Sequence, residues 1–264
     1  MESMVESESV QAPSVPDDEV LILGVRFYNG DVEGAIGKIL KGGLLVAPSG
    51  PGLALMDSDA EYVEALVSSD VAVADSGLMT LVWNLFGGRR LQKLSGVKLF
   101  RALVGRKELK SPGALFMIDP SERESNLNIE FMKECGIAVD ESSVYIAPFY
   151  GKGVTVDEDL VAILEKIRPS VVLVNIGGGV QEKLGLYLKR RLSFQPAIIC
   201  TGAAIAFSTG AQANIPNIVD RLYLGWLWRC LYEPRRYIPR YLYAAKAFIL
   251  LLRHWDKSPD IGKR

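Results

Sequence analysis

Histidine is almost absent: His254 is the only one in 264 residues. Ser-His-Asp and Cys-His mechanisms have nothing to build on, because each needs an imidazole beside its nucleophile. The three cysteines, Cys135, Cys200 and Cys230, are far apart and odd in number. That pattern argues against a disulfide framework or a zinc knuckle and for reduced, buried thiols. No HExxH or CxxC occurs, so no metal site is expected. No GxGxxG follows the first apolar run and no GxxxxGK[ST] occurs anywhere, which removes the dinucleotide fingerprint and the P-loop. Long apolar runs are missing too. The longest in the tail is Ala247 to Leu252, and even Tyr241 to Leu252 has Lys246 inside it, well short of the ~20 residues of a spanning helix. The start, MESMVESESVQAPSVPDDE, has neither the basic residues nor the apolar stretch of a secretory signal. A cytoplasmic protein is expected, without a nucleic-acid partner.

What is present is an uneven distribution of charge. The net charge is −1, yet the first twenty residues carry Glu2, Glu6, Glu8, Asp17, Asp18 and Glu19 with no Lys or Arg. From Asp220 to Arg264 there are ten Lys/Arg against four acids, interleaved with Trp226, Trp228, Trp255 and apolar runs. Cations, interfacial aromatics and aliphatics together suit an anionic lipid surface, so a protein that works at a membrane without crossing it is expected. The same apolar surface would serve a homo-oligomer equally well. Under either use, truncation before Ile218 is expected to raise solubility. Three parts follow: a flexible acidic leader over 1–19, an α/β domain over 20–217, and a helical, membrane-associating appendage over 218–264.

Within the middle part, strand-like runs alternate with helix-like segments. Strands are read at 20–25, 43–47, 70–74, 114–118, 143–147, 170–176 and 197–200. Helices are read at 31–41, 59–68, 78–86, 97–104, 121–135, 157–167 and 181–191. Apolar strands that do not alternate, each followed by a helix, predict a Rossmann-like parallel sheet with helices on both faces. Ligands in such sheets sit at the carboxyl ends of the strands. Four strand-end loops rich in Gly or small residues qualify: 47–53, 74–78, 175–182 and 201–204. Amides of the Gly177-Gly178-Gly179 loop would face a phosphate at a helix start, although such a turn is as often only a tight connection. Asp75 ends an apolar strand before a Ser-Gly turn, which suits a general base projecting from a rigid element. The competing reading is that Asp75 only caps the helix beginning near Leu78.

These residues resemble the bacterial WecG/TagA/CpsF glycosyltransferases, glycosyltransferase family 26, from about Val20 to Phe248. The strongest segment runs from Leu224 through Gly225-Trp226-Leu227-Trp228-Arg229 to Glu233-Pro234-Arg235-Arg236 and Arg240-Tyr241, similar to the family's "LEWLYRLxxEPRR…RRY". Gln181-Glu182 after the glycines is similar to "GxPkQE". Ala74-Asp75-Ser76-Gly77 occupies the place of "PDG", whose aspartate is the proposed base, and Lys93-Leu94-Ser95-Gly96 that of "RvtG".

The resemblance implies an inverting glycosyltransferase, without a metal motif or cofactor, moving a sugar from a UDP-sugar to a polyprenyl-diphosphate-linked saccharide. N-acetylmannosamine, glucose and uronic-acid donors fall within it, and the products feed cell-surface polysaccharides at the inner face of the membrane. It implies Asp75 as catalytic base. Ser49, Lys93, Gly177, Gly178, Gly179, Gln181, Glu182 and Gly202 become donor-binding residues. Arg229, Arg235, Arg236 and Arg240 would meet the acceptor diphosphate or the membrane, and a continuous helix would set Arg229, Arg236 and Arg240 on one face; Pro234 and Pro239 interrupt that expectation. The chain departs from the family at four places. "TxN" is Ala47-Pro48-Ser49, "GsDL" is Gly96-Val97-Lys98-Leu99, the mid-chain "GG" is Ile118-Asp119-Pro120, and the acid of "LEW" is Gly225. Those changes imply either altered donor specificity or a catalytically inactive, membrane-bound nucleotide-sugar-binding or scaffold subunit.

Overall fold

The structure is a computed structural model that describes residues 16–87, 89–151, 155–202, 204–209, 219 and 225–259. The first fifteen residues of the acidic leader and the domain boundary at 217–218 lie outside the described residues.

One sheet of eight strands organises the chain: β1 (Glu19–Ile22), β2 (Val25–Tyr28), β3 (Gly43–Val46), β4 (Val71–Ala72), β5 (Leu115–Asp119), β6 (Val144–Ile146), β7 (Val171–Val174) and β8 (Ala197–Cys200). Their order across the sheet is β1-β2-β4-β3-β8-β7-β5-β6, and every pairing but β1–β2 is parallel. The central strands β3, β5, β7 and β8 are buried almost throughout, as non-alternating apolar runs require when helices cover both faces. The alternation read from the sequence thus yields the expected α/β fold.

The helices are α1 (Val32–Ile39), α2 (Gly50–Leu53), α3 (Ala60–Val67), α4 (Gly77–Phe86), α5 (Gly96–Val104), α6 (Glu122–Glu134), α7 (Glu158–Ile167), α8 (Val180–Arg191), α9 (Ala204–Ser208), α10 (Gly225–Tyr232) and α11 (Pro234–His254). Two apolar cores lie on opposite faces of the sheet. One holds Leu53, Tyr62, Trp83, Leu160, Leu184 and Leu251; the other holds Ile36, Phe100, Leu103, Met132 and Ile205.

Two local expectations are corrected. The run at 20–25 is not one strand but the turn of an antiparallel hairpin, with Leu23 and Gly24 at φ 52° and 76°. Positive φ at both central residues is the tight-hairpin geometry that fits strand twist, and a leucine there carries a steric cost. Contacts from the far end of the chain hold it: Leu23 N donates to Trp255 O at 2.7 Å, Gly24 N to Asp256 O at 2.9 Å, and Ser258 Oγ to Leu23 O at 3.3 Å. The Pro-Gly stretch at 48–52, inside the segment read as the 47–53 loop, is not all loop either. It starts α2, with Ser49 as N-cap, and continues as a 3-10 helix over Ala54–Asp57. Pro51 near the first helical position tolerates this because that N–H has no intrahelical partner anyway.

The carboxy-terminal helices are docked on this body. Tyr237, Ala244, Leu250 and Leu251 of α11 are buried, and Trp255 stacks on Trp83 of α4 at 4.7 Å between ring centroids. Tyr243 donates to the Ala54 carbonyl at 3.5 Å. The described part of the tail completes one core and clamps the first hairpin, so the expectation that truncation raises solubility runs against this packing. Among the described residues no helix is long and apolar enough to cross a membrane.

Candidate active site at the strand ends

The four loops singled out by their small residues follow β3, β4, β7 and β8, and those strands are neighbours in the order β4-β3-β8-β7. The carboxyl ends therefore converge on one edge, where an open α/β sheet places its ligand.

Asp75 lies just past β4 and is half-buried. It does not cap α4, because Ser76 does: the Ser76 hydroxyl accepts from Met79 N at 3.2 Å. Asp75 instead reaches across to α5, where its Oδ1 accepts from Gly96 N at 2.8 Å. Ser95, the N-cap of α5, makes no side-chain cap bond, so the Asp75 carboxylate serves a helix start whose amides favour negative charge. One oxygen is thereby fixed in direction by a backbone amide. Leu94 N donates to Ala74 O at 3.1 Å, which seats the half-buried Lys93 beside the Asp75 loop. Gly96 also sets a spacing. A Cβ there would lie 3.7 Å from Asp75 Oδ1 and 3.5 Å from the Thr201 carbonyl, between the β4 and β8 loops.

The β7 loop is built differently. Gln181 and Glu182 are 2% and 1% exposed. Glu182 Oε2 accepts from Gly179 N at 2.7 Å, and Gln181 Nε2 donates to Glu182 Oε1 at 3.0 Å. Gln181 Oε1 accepts from Gly202 N at 3.0 Å, which fastens the β7 loop to the β8 loop. Burial pushes the Glu182 carboxyl above its usual range, against the lowering effect of those donors. Gly179 at φ 94° sits where a side chain is strained, and a Cβ there would also press on Leu55 Cδ1 at 2.9 Å. Gly177 and Gly178 are exposed, with nothing within 4 Å of a Cβ position, and leave open space at the start of α8. Among the residues read as donor-binding, then, Gly177 and Gly178 face open space, while Gln181, Glu182, Gly179 and Gly202 form the clasp beneath. Ser49 is tied up as the α2 cap, accepting from Gly52 N at 3.4 Å.

The tail reaches this edge from the β3 side. A Cβ on Gly50 would lie 3.4 Å from Ser76 Oγ and 3.7 Å from Ala244 Cβ, so α11 passes over the start of α2 and the Asp75 loop. Arg229 of α10 is half-buried, with its guanidinium 4.9 Å from the Phe207 ring centroid of α9, and donates to Tyr241 OH at 3.4 Å. Arg229 is thus brought against α9, the helix that follows the β8 loop. The chain breaks at Glu233, between α10 and α11, so Arg229 does not share a continuous helical face with Arg236 and Arg240. Arg235 is exposed, and the side chains of Arg236 and Arg240 lie outside the described residues. Three buried polar residues at the strand ends, Asp119, Asn175 and Thr201, are not among the site residues read from the sequence. Each was signalled only indirectly: Asp119 as a departure from "GG", Asn175 and Thr201 as the first residues of the 175–182 and 201–204 loops.

A profile described as the glycosyl transferase WecG/TagA/CpsF family matches residues 20–260. The chain belongs to that family. The match spans hairpin, sheet and described tail together, in keeping with their mutual packing. A WecG/TagA/CpsF protein is a glycosyltransferase of cell-surface polysaccharide synthesis. A search of curated proteins finds no match to the chain.

Proposed function

We propose that this WecG/TagA/CpsF protein transfers a sugar from a UDP-sugar to a polyprenyl-diphosphate-linked saccharide, with inversion, at the cytoplasmic face of a membrane. The observation that carries the reading is the Asp75 carboxylate, held by the Gly96 amide at the edge where the four loops follow neighbouring strands. A base must be held within hydrogen-bond reach of the hydroxyl it deprotonates, and a half-buried carboxylate with one oxygen fixed meets that need. Asp75 takes the proton of the acceptor hydroxyl as its oxygen attacks the anomeric carbon and the bond to the UDP oxygen breaks. The leaving diphosphate gathers negative charge, and in this reading the amides at the open Gly177-Gly178 turn and the Arg229 guanidinium stabilise it.

The membrane part of the reading rests on α11. Opposite its buried face runs an exposed apolar stripe, Ile238, Leu242, Ala245, Ile249 and Leu252. Arg235, Lys246 and Arg253, eleven and seven residues apart, align along one border of that stripe, and no acid occurs from Pro234 to His254. Apolar surface with cations alone at its margin suits an anionic bilayer lying along the helix. In a symmetric pairing of two copies through the same stripe, those cations would repel. Leu81, Leu85 and Phe86 of the neighbouring α4 are exposed as well.

The test is UDP release by the purified chain over a panel of UDP-sugars, with liposomes carrying polyprenyl-diphosphate-GlcNAc. Release with one donor, lost in Asp75→Asn, is the expected result. Membrane binding and UDP binding without release from any donor would favour the inactive scaffold subunit that the departures at Ala47, Ser49, Val97 and Gly225 also allow.

A further inference from the structure

Register places three polar residues side by side at the carboxyl edge. Ile118 pairs with Val174 across β5–β7, so Asp119 stands beside Asn175. Leu173 pairs with Ile199 across β7–β8, so Asn175 in turn stands beside Thr201. Partners in a parallel register point to the same face, and Asn175 Nδ2 indeed donates to Asp119 Oδ1 at 2.7 Å. Thr201 then adjoins Gly96, whose amide holds Asp75. The row runs Asp75, Thr201, Asn175, Asp119.

Asp119, Asn175 and Thr201 are 0%, 9% and 7% exposed, yet each keeps one buried polar atom without a hydrogen-bond partner among the described residues: Oδ2, Oδ1 and Oγ1 respectively. Native proteins leave few such atoms, because each costs the desolvation of a polar group without return. Here three fall on three adjacent strands at the edge where the ligand is expected. The remaining atoms on Asp119 and Asn175 are acceptors, and that on Thr201 both accepts and donates. A complement must therefore bring donors, which sugar hydroxyls do and ionised phosphate does not. The acidic first turn of α6, with Glu122 and Glu124 beyond the Ser121 cap, disfavours phosphate on that side as well. We propose that Asp119, Asn175 and Thr201 form a subsite that reads sugar hydroxyls, of ribose or of the transferred hexose, in a nucleotide-sugar ligand. This rests on the glycosyltransferase reading above and adds specificity-determining residues to it. It gives a role to a carboxylate standing where the family pattern has glycine.

Two substitutions test the row without dismantling it. Asp119→Asn keeps the oxygen that accepts from Asn128 at 2.9 Å and from Asn175 at 2.7 Å, and turns the unpartnered oxygen into a donor. Thr201→Val removes only the hydroxyl and keeps the shape. Calorimetric titration of native and variant chains with UDP, 2′-deoxy-UDP, 3′-deoxy-UDP and UDP-glucose gives the readout, with melting temperature alongside. Both variants should melt no lower than the native chain, because Thr201→Val removes a buried unpaired hydroxyl and Asp119→Asn replaces a buried carboxylate by a neutral amide. Each should bind its hydroxyl-bearing ligand about tenfold more weakly, the size of one hydrogen bond to a buried polar group. Loss that disappears with a deoxy-UDP assigns the row to ribose; loss confined to UDP-glucose assigns it to the hexose. Native-like affinity of both variants for every ligand would overturn the row, with Asp119 then protonated and satisfied within the protein. A native chain that binds none of the ligands would contradict the functional reading itself and take the row with it.

Discussion

The two halves of the strand-end crevice use the same residue types in opposite ways. On the β4–β3 side, Asp75 is only half-buried and accepts from an amide at the start of α5, with α11 roofing the neighbouring start of α2. On the β7–β5 side, Glu182 and Asp119 are buried: both Glu182 oxygens hold the β7 loop, and one Asp119 oxygen holds Asn128 and Asn175 while the other is left for the proposed sugar contact. An acid at a strand end is thus no more than a candidate until its partners are known. What separates a base from a brace is whether the carboxylate faces a ligand or the fold.

The largest effect expected from this contrast is on turnover. Asp75→Asn keeps an acceptor for Gly96 N but cannot take a proton, so transfer should fall by ~10²–10⁴-fold with melting temperature unchanged. Steady-state UDP release beside a melting curve checks it, and native-like turnover would remove Asp75 from the chemistry. Next comes the roof. Leu251→Ala cuts a side chain 2% exposed in the main core and should cost about 2–5 kcal/mol in chemical denaturation. A negligible cost would mean that α11 is an appendage resting on the body rather than part of its core.

Glu182→Leu should behave in reverse to Asp75→Asn. It strands the Gly179 amide and the Gln181 side chain, costing about 2–3 kcal/mol of stability, while kcat per folded molecule stays near native. A stable Glu182→Leu chain without turnover would break the comparison. At the surface, Leu85→Ser changes a residue 71% exposed. Stability should stay within about 0.5 kcal/mol, while partitioning onto anionic vesicles in a sedimentation assay should drop several-fold.

The smallest effect is a pH slope. Burial raises the Asp119 carboxyl above its usual range, offset in part by the Asn175 and Asn128 donors. Between the unfolded value near ~4 and the raised folded value, the native state binds more protons, so stability falls as pH rises through that window. Asp119→Asn should flatten the slope and exceed the native chain in stability above the window. Below it, where Asp119 is neutral in both states, the two chains should converge. Parallel stability–pH curves for both would sink this assignment.

Much of the body was legible because its signals are local. Buried parallel strands read as unbroken apolar runs, and glycine-rich strand ends mark where backbone must come close. The misses share a non-local cause. No Asn-Gly or Asp-Gly marks the Leu23-Gly24 hairpin, whose geometry is fastened by Trp255, Asp256 and Ser258 at the other end of the chain. The Gln181–Gly202 clasp and the Asp75–Gly96 bond each join residues 21 apart, beyond any periodicity. Asp119 beside Asn175, 56 residues away, follows only from the strand order. The tail's composition signalled an apolar, basic surface; it could not reveal that one face of α11 is spent on the body.

The central claim is that Asp75 is the base of a sugar transfer at this edge. The direct measurement is single-turnover UDP release from each donor of the panel on acceptor-bearing liposomes, for the native chain and Asp75→Asn at equal UDP occupancy. The account predicts release with one donor and its collapse in the variant, although both chains bind UDP alike. Equal release by the two chains would contradict it.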